Sequence, residues 1–175
     1  MDKGSTAALN SAVGALKLKD IVLHAARFSR PTELDQEVSA HESVKRAVAF
    51  NRVPGSAGVP ESLRIFVGLG VRIVGTSGRP PPVYLEIEAD FVADYEVKTA
   101  ITEDAIRAFA SFNAVHNVWP FWRQHVFDVV NRGRLQHIDI PLYSGMPLGG
   151  VATAASPSEK LASTRRASKL RRKAR

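Results

Sequence analysis

Along Val83–Val97 the chain alternates strictly between apolar and polar positions. Val83, Leu85, Ile87, Ala89, Phe91, Ala93, Tyr95 and Val97 share one parity. Tyr84, Glu86, Glu88, Asp90, Val92, Asp94, Glu96 and Lys98 hold the other. Successive side chains in a strand point to opposite faces, so this pattern predicts a long strand with one apolar and one largely charged face. Leu63, Ile65, Val67, Leu69, Val71 and Ile73 repeat the period and predict a strand before it. Gly75 to Pro82 joins the two, and so short a connection implies antiparallel pairing. Two weaker patterns precede these. Leu16 to Arg30 reads as a first strand, with His24 and Asp20 interrupting its apolar parity. Ser43 to Arg52 reads as a second, carried by Val44, Val48 and Phe50. Residues 31–41 read as a crossing loop.

The period then changes from two to 3.6. Thr102 has the chemistry of a helix N-cap, with Glu103 and Asp104 placed to favour the helix dipole. Ala105, Phe109, Phe112, His116 and Trp119 fall on one face, and Val126, Phe127 and Val130 continue the stripe. Pro120 removes a backbone donor, so a kink or restart is expected there, with Gly133 as the C-terminal cap. Leu135 to Leu142 reads as a short extended piece. The implied fold class is α+β: a four-stranded antiparallel sheet packed against one long, Pro-kinked helix. Residues 1–14 are small and polar and are expected to form a flexible arm, with one domain over 15–143 and a Gly/Pro/Ala/Ser linker and basic tail over 144–175.

Composition narrows the chemistry. The chain of 175 residues has no cysteine, which removes disulfides, thiol catalysis and cysteine-based metal sites. Met1–Ser5 is not followed by a long apolar run, and no stretch has the length to span a bilayer, so a cytoplasmic protein is expected. The net charge of +7 resides entirely in residues 158–175, leaving the rest neutral. There Lys160, Arg165, Arg166, Lys169, Arg171, Arg172, Lys173 and Arg175 stand against Glu159. A tail of this kind suits nucleic acid, an anionic membrane or an acidic partner, or serves only as a solubilising segment.

Catalytic and cofactor motifs are wanting. Gly68-Leu69-Gly70 lies inside a strand rather than at a strand–turn–helix junction, and Gly55-Ser56-Ala57-Gly58 lacks the Lys-Ser/Thr ending of a phosphate loop. The strand glycines read instead as a bulge or a close backbone approach. His116 and His125, nine residues apart, lie about 13 Å apart along a regular helix and cannot share a metal. No catalytic residue, metal or cofactor is expected. The carboxylates Glu86, Glu88, Asp90, Asp94 and Glu96 read as a solvated sheet face. Trp119, Phe121 and Trp122 around the proline suit either the core or an exposed interface.

Taken together, the strand Tyr84–Tyr95, Phe112-Asn113, Trp119-Pro120-Phe121-Trp122-Arg123, Asn131-Arg132-Gly133 and Ile138–Leu142 resemble the SecB family of export chaperones, with Leu18–Leu23 and Phe28–Pro31 fitting the opening strand. The resemblance covers residues 15–143. It implies an ATP-independent holdase that keeps unfolded or precursor polypeptides in apolar grooves, for export or to protect an antitoxin. It implies a homotetramer, a dimer of dimers with the long helices between two sheets. The implied peptide-binding residues are Phe28, Leu34, Val38, Trp119, Phe121 and Trp122, with Phe109, Phe112, His116 and Val126 at subunit contacts. Translocase motor or toxin–antitoxin components become candidate partners. The alternative is a nucleic-acid or acidic-partner binder acting through Arg165, Arg166, Lys169, Arg171, Arg172 and Lys173. Two features depart from the family: its members are typically acidic, and they typically end in a second amphipathic helix.

Overall fold

A computed structural model describes residues 3–30, 40–76, 78–135 and 137–143. Helix α1 (Lys3–Ala15) leads directly into strand β1 (Leu16–Ser29). Strands β2 (Ala40–Val53), β3 (Ser62–Gly75) and β4 (Val83–Val97) follow. The long helix is built from α2 (Glu103–Phe109), one π-helical turn (Ala110–Ala114) and α3 (Val115–Arg132). All strand pairs are antiparallel, in the order β1-β4-β3-β2. The two most strictly alternating segments are therefore the two central strands, and β1 and β2 are the edges.

The alternation explains the layering. Ile65, Val67, Ile87, Ala93 and Tyr95 are at most 1% exposed and face the helix. Ile106, Val115, Val118, Trp122 and Val126 come down on them from the helix and are equally buried. Thr102 caps α2 as expected, its hydroxyl accepting from the Ala105 amide at 3.3 Å. The Tyr95 hydroxyl accepts from Asn117 Nδ2 at 3.0 Å, and burial pushes its pKa upward.

Several expectations need correction. Residues 1–14 were expected to have little to bury, yet α1 packs on α2 with Ala12 and Ala15 inside the core. Small side chains allow that close approach. The Ala15 carbonyl also accepts from the Lys98 amide at 2.8 Å. The helix neither ends nor restarts at Pro120, which lies inside α3. Both Pro120 and His116, whose carbonyl loses its donor, are exposed, so solvent can satisfy that carbonyl. The irregular turn is instead the π turn at Ala110–Ala114. At the C-terminus Gly133 keeps right-handed φ and Arg134 takes the left-handed position at φ 50°.

The broken parity of β1 has a direct cause. Its pairing with β4 slips between Leu18 and Asp20 and again between Leu23 and Ala25. Each slip inserts one residue and flips the faces that follow. Leu16, Leu18, Ile21, Leu23, Ala26 and Phe28 thus all sit opposite helix-facing β4 residues, although their numbers change parity twice. No such slip marks β3 at its glycines, so they are not bulges. Gly70 stands between Lys45 and Glu88 on the outer face. Without a Cβ there, Lys45 Nζ crosses β3 to reach Glu88 at 2.6 Å and Glu86 at 3.2 Å.

Candidate functional site

The outer sheet face is less solvated than its carboxylates imply. Glu86 is only 7% exposed and takes hydrogen bonds from Arg72 and Lys45. Burial alone would raise its pKa; the hydrogen bonds and charges of Arg72 and Lys45 outweigh burial and hold the carboxyl below its ordinary range. Arg64 pairs with Asp94 at 2.9 Å, and Lys19 and Lys98 both pair with Glu96. Four of the five carboxylates are thus neutralised by cations of the same molecule, which leaves a flat face of paired charge.

Unlike that face, the helix side offers uncovered apolar surface in two places. The first lies along β1. Leu18, Leu23 and Phe28 are 41%, 51% and 46% exposed on the helix-facing side of that edge. Phe121, on α3, is also about half exposed. Here the helix covers β4 and β3, and on β1 Leu16 and Ile21 still pack against the core while Leu18, Leu23 and Phe28 stay bare.

The second lies along β2. Glu42, Val44, Arg46, Val48, Phe50 and Arg52 pair through β3 with helix-facing positions, and the middle four are half-buried. Arg107 from α2 lies 5.6 Å over the Phe50 ring, a cation–π distance. Tyr143, in the extended segment after α3, gathers Phe112, His116 and Trp119, with ring centroids 6.0, 6.1 and 5.2 Å away. Arg46 Nη1 donates to the Tyr143 hydroxyl at 2.9 Å. The segment is pinned by Trp119 Nε1, which donates to the Pro141 carbonyl at 2.8 Å, and by Arg123 Nε, which donates to that of Ile140 at 2.9 Å. Ile138 and Ile140 point inward, and beside them a cleft of about 410 Å³ opens along Phe127, Val130 and Arg123.

The expected site residues divide accordingly. Phe28 and Phe121 are accessible, and so is His116, with Phe112 half-buried beside Tyr143. Trp119 and Trp122 are corrected: they are 4% and 0% exposed, because their spacing of three puts both on the sheet-facing side of α3. Both rings are covered within the protomer, Trp119 in part by Tyr143. Phe109 and Val126, expected at subunit contacts, are 4% and 1% exposed and belong to the protomer's own core. Leu34, Val38 and the tail cations Arg165, Arg166, Lys169, Arg171, Arg172 and Lys173 lie outside the described residues. Arg46, Phe50, Arg107 and Tyr143 had not been singled out. Phe50 alone carried a signal, as the aromatic of the second strand pattern.

Among the described residues no group of three metal-ligating side chains comes together, and no helix is long and apolar enough to cross a membrane. His125 lies beside Trp122 with ring centroids 6.1 Å apart; desolvation lowers its pKa, with Arg132 acting in the same direction against Asp128.

No family model matches the chain, and no curated protein matches it. A solved structure does: the Mycobacterium tuberculosis Rv1957 SecB-like chaperone, in complex with a ChAD peptide from the Rv1956 HigA1 antitoxin. The TM-score is 0.61 at 15% identity, over 79% of this chain and 97% of that one. The four-stranded antiparallel sheet with one long 30-residue helix is therefore a SecB-like fold.

Proposed function

We propose that this chain is an ATP-independent holdase that captures unfolded or precursor polypeptides in extended form. The observation that carries this reading is the β2 side of the molecule. There a 14-residue edge strand, paired to β3 without a slip, borders half-buried apolar side chains and the aromatic cluster at Tyr143. Such an edge, unpaired among the described residues, offers backbone groups to an added strand, and the flanking apolar surface rewards many sequences weakly rather than one strongly. The likeness in fold to a chaperone solved in complex with an antitoxin peptide supports clients of that kind. Binding here needs no bound cofactor or nucleotide, and release follows client transfer or folding.

The bare apolar positions of β1 and Phe121 on α3 fit association of copies, with a homotetramer of cytoplasmic location as the expected form. The pairing of charges on the outer face argues against strong electrostatic docking of a translocase motor there. The test is light scattering on the full chain with a reduced, unfolded client. A stable oligomer that holds the client and suppresses its aggregation without ATP, at high salt as well as low, is expected. A monomer that leaves aggregation unchanged rejects the reading.

The charge distribution favours a second activity, binding of nucleic acid or an acidic partner through the tail, because the chain's net +7 lies in residues 158–175. Removing those residues is expected to abolish any binding that weakens steeply with salt. Binding that survives the removal excludes the tail as its site.

A further inference from the structure

The β2 side carries a charge pattern that selects among clients. Arg46 points from the middle of β2 toward the helix side and is half-buried. Its hydrogen-bond partner is a neutral phenol, that of Tyr143, and among the described residues it makes no ion pair. Arg107, which lies over Phe50 four positions further along β2, is paired with Glu103 in its own helix. Glu42 is the carboxylate on this side of β2, but it lies four positions along the strand from Arg46, about 13 Å away.

A guanidinium withdrawn from water without a carboxylate is unfavourable by itself, and its planar fork is matched best by a carboxylate. On the outer face of the same strand, Lys45 already has two such partners, Glu86 and Glu88. The contrast leaves Arg46 as a cation held ready beside aromatic rings. Resting on the holdase reading above, the geometry points to a preference for client segments that set Asp or Glu among aromatic or branched apolar residues, with the Arg46 guanidinium donating to the carboxylate.

The chain's own tail is the wrong occupant. The segment 158–175 holds eight cations against one carboxylate, and Arg46 repels them.

The preference is tested by fluorescence anisotropy on the full chain with extended peptides of one Val/Phe pattern, flanked by Glu, by Gln or by Lys. The Glu peptide is expected to bind about tenfold more tightly than the Gln peptide, and the Lys peptide most weakly. Arg46→Gln is expected to bring Glu and Gln peptides within about twofold while the Gln peptide binds as before, which also shows that the surface survives the change. Arg46→Lys, which keeps the charge without the fork, is expected to fall between. Changing the eight cations of 158–175 to Gln is expected to leave the ratio intact. Equal binding of Glu and Gln peptides overturns this preference and leaves the holdase reading standing. A ratio that survives Arg46→Gln but vanishes with the tail cations also overturns it, and assigns the carboxylate to the tail. If no peptide binds, both readings fall together.

Discussion

The sheet has two edges of equal length and unequal construction. β1 and β2 each run for 14 residues. β1 slips twice against its neighbour and is exposed along most of both faces, while charge does not separate the edges: β1 carries Lys17, Lys19, Asp20 and Arg27, and β2 carries Glu42, Lys45, Arg46 and Arg52. β2 pairs with β3 without a slip and is half-buried from Ser43 to Phe50. Bulges twist and blunt an edge, whereas a regular edge remains a template for pairing. Length and hydrophobicity alone do not decide which edge is open. The helix decides it in part, because it lies over β4 and β3 and reaches β2 through its π turn while leaving most of β1 bare.

The strongest test of that coverage is Trp122→Ala. Trp122 is completely buried under α3, and its loss is expected to cost about 3–5 kcal/mol in urea unfolding. Its neighbour Phe121 is 49% exposed, so Phe121→Ala is expected to change protomer stability by under about 0.5 kcal/mol and instead to weaken association between copies. Equal costs for the two would mean that α3 is rotated from the orientation described.

A matched pair of substitutions separates the edges themselves. Leu23, Phe91, Val67 and Val48 form one row across the helix-facing side of the sheet, from β1 to β2. Val48 packs against the core, whereas Leu23 is 51% exposed. Val48→Lys is expected to destabilise by about 1–2 kcal/mol and to weaken peptide capture. Leu23→Lys is expected to leave thermal stability within about 0.5 kcal/mol and to lower the oligomer mass seen by light scattering. If Leu23→Lys proves the more damaging in a monomeric protein, the comparison of edges is reversed.

What could be read in advance followed from distance along the chain. The central strands, the hairpin between them and the N-cap at Thr102 rest on local patterns, and all were legible. β1 was blurred because an inserted residue breaks the parity without announcing itself. α1 was missed because only small residues, Ala12 and Ala15, do its packing, and they leave no apolar stripe. The aromatic helix was read correctly as a helix, but the burial of Trp119 and Trp122 was left open, although spacings of three and four among Val115, Val118, Trp119, Trp122 and Val126 already placed them on one face. The surface at β2 was out of reach because its parts are remote: Arg46 and Tyr143 stand 97 positions apart.

The smallest expected effect concerns the ion pairs that strap β2 to the middle of the sheet. Lys45 reaches across Gly70 to Glu86 and Glu88, whereas β1 is tied to β4 by the longer pair Lys19–Glu96 at 3.6 Å. Arg72 and Lys45 hold the folded Glu86 carboxyl below its ordinary range. Its pairing therefore contributes stability that is present above the unfolded pKa and is lost as pH falls through the folded one. Acidification below about pH 4.5 should then loosen β2 before the covered central strands, read as faster amide exchange along Ser43–Phe50 than along Leu63–Val71. Lys45→Gln should reproduce part of that loosening at neutral pH and cost under about 1 kcal/mol, since Lys45 is partly exposed and Glu86 keeps Arg72. Exchange in β2 that is indifferent to both acid and Lys45→Gln would show that the backbone ladder with β3 holds the open edge unaided. The charges on the outer face would then set only which partners that face repels.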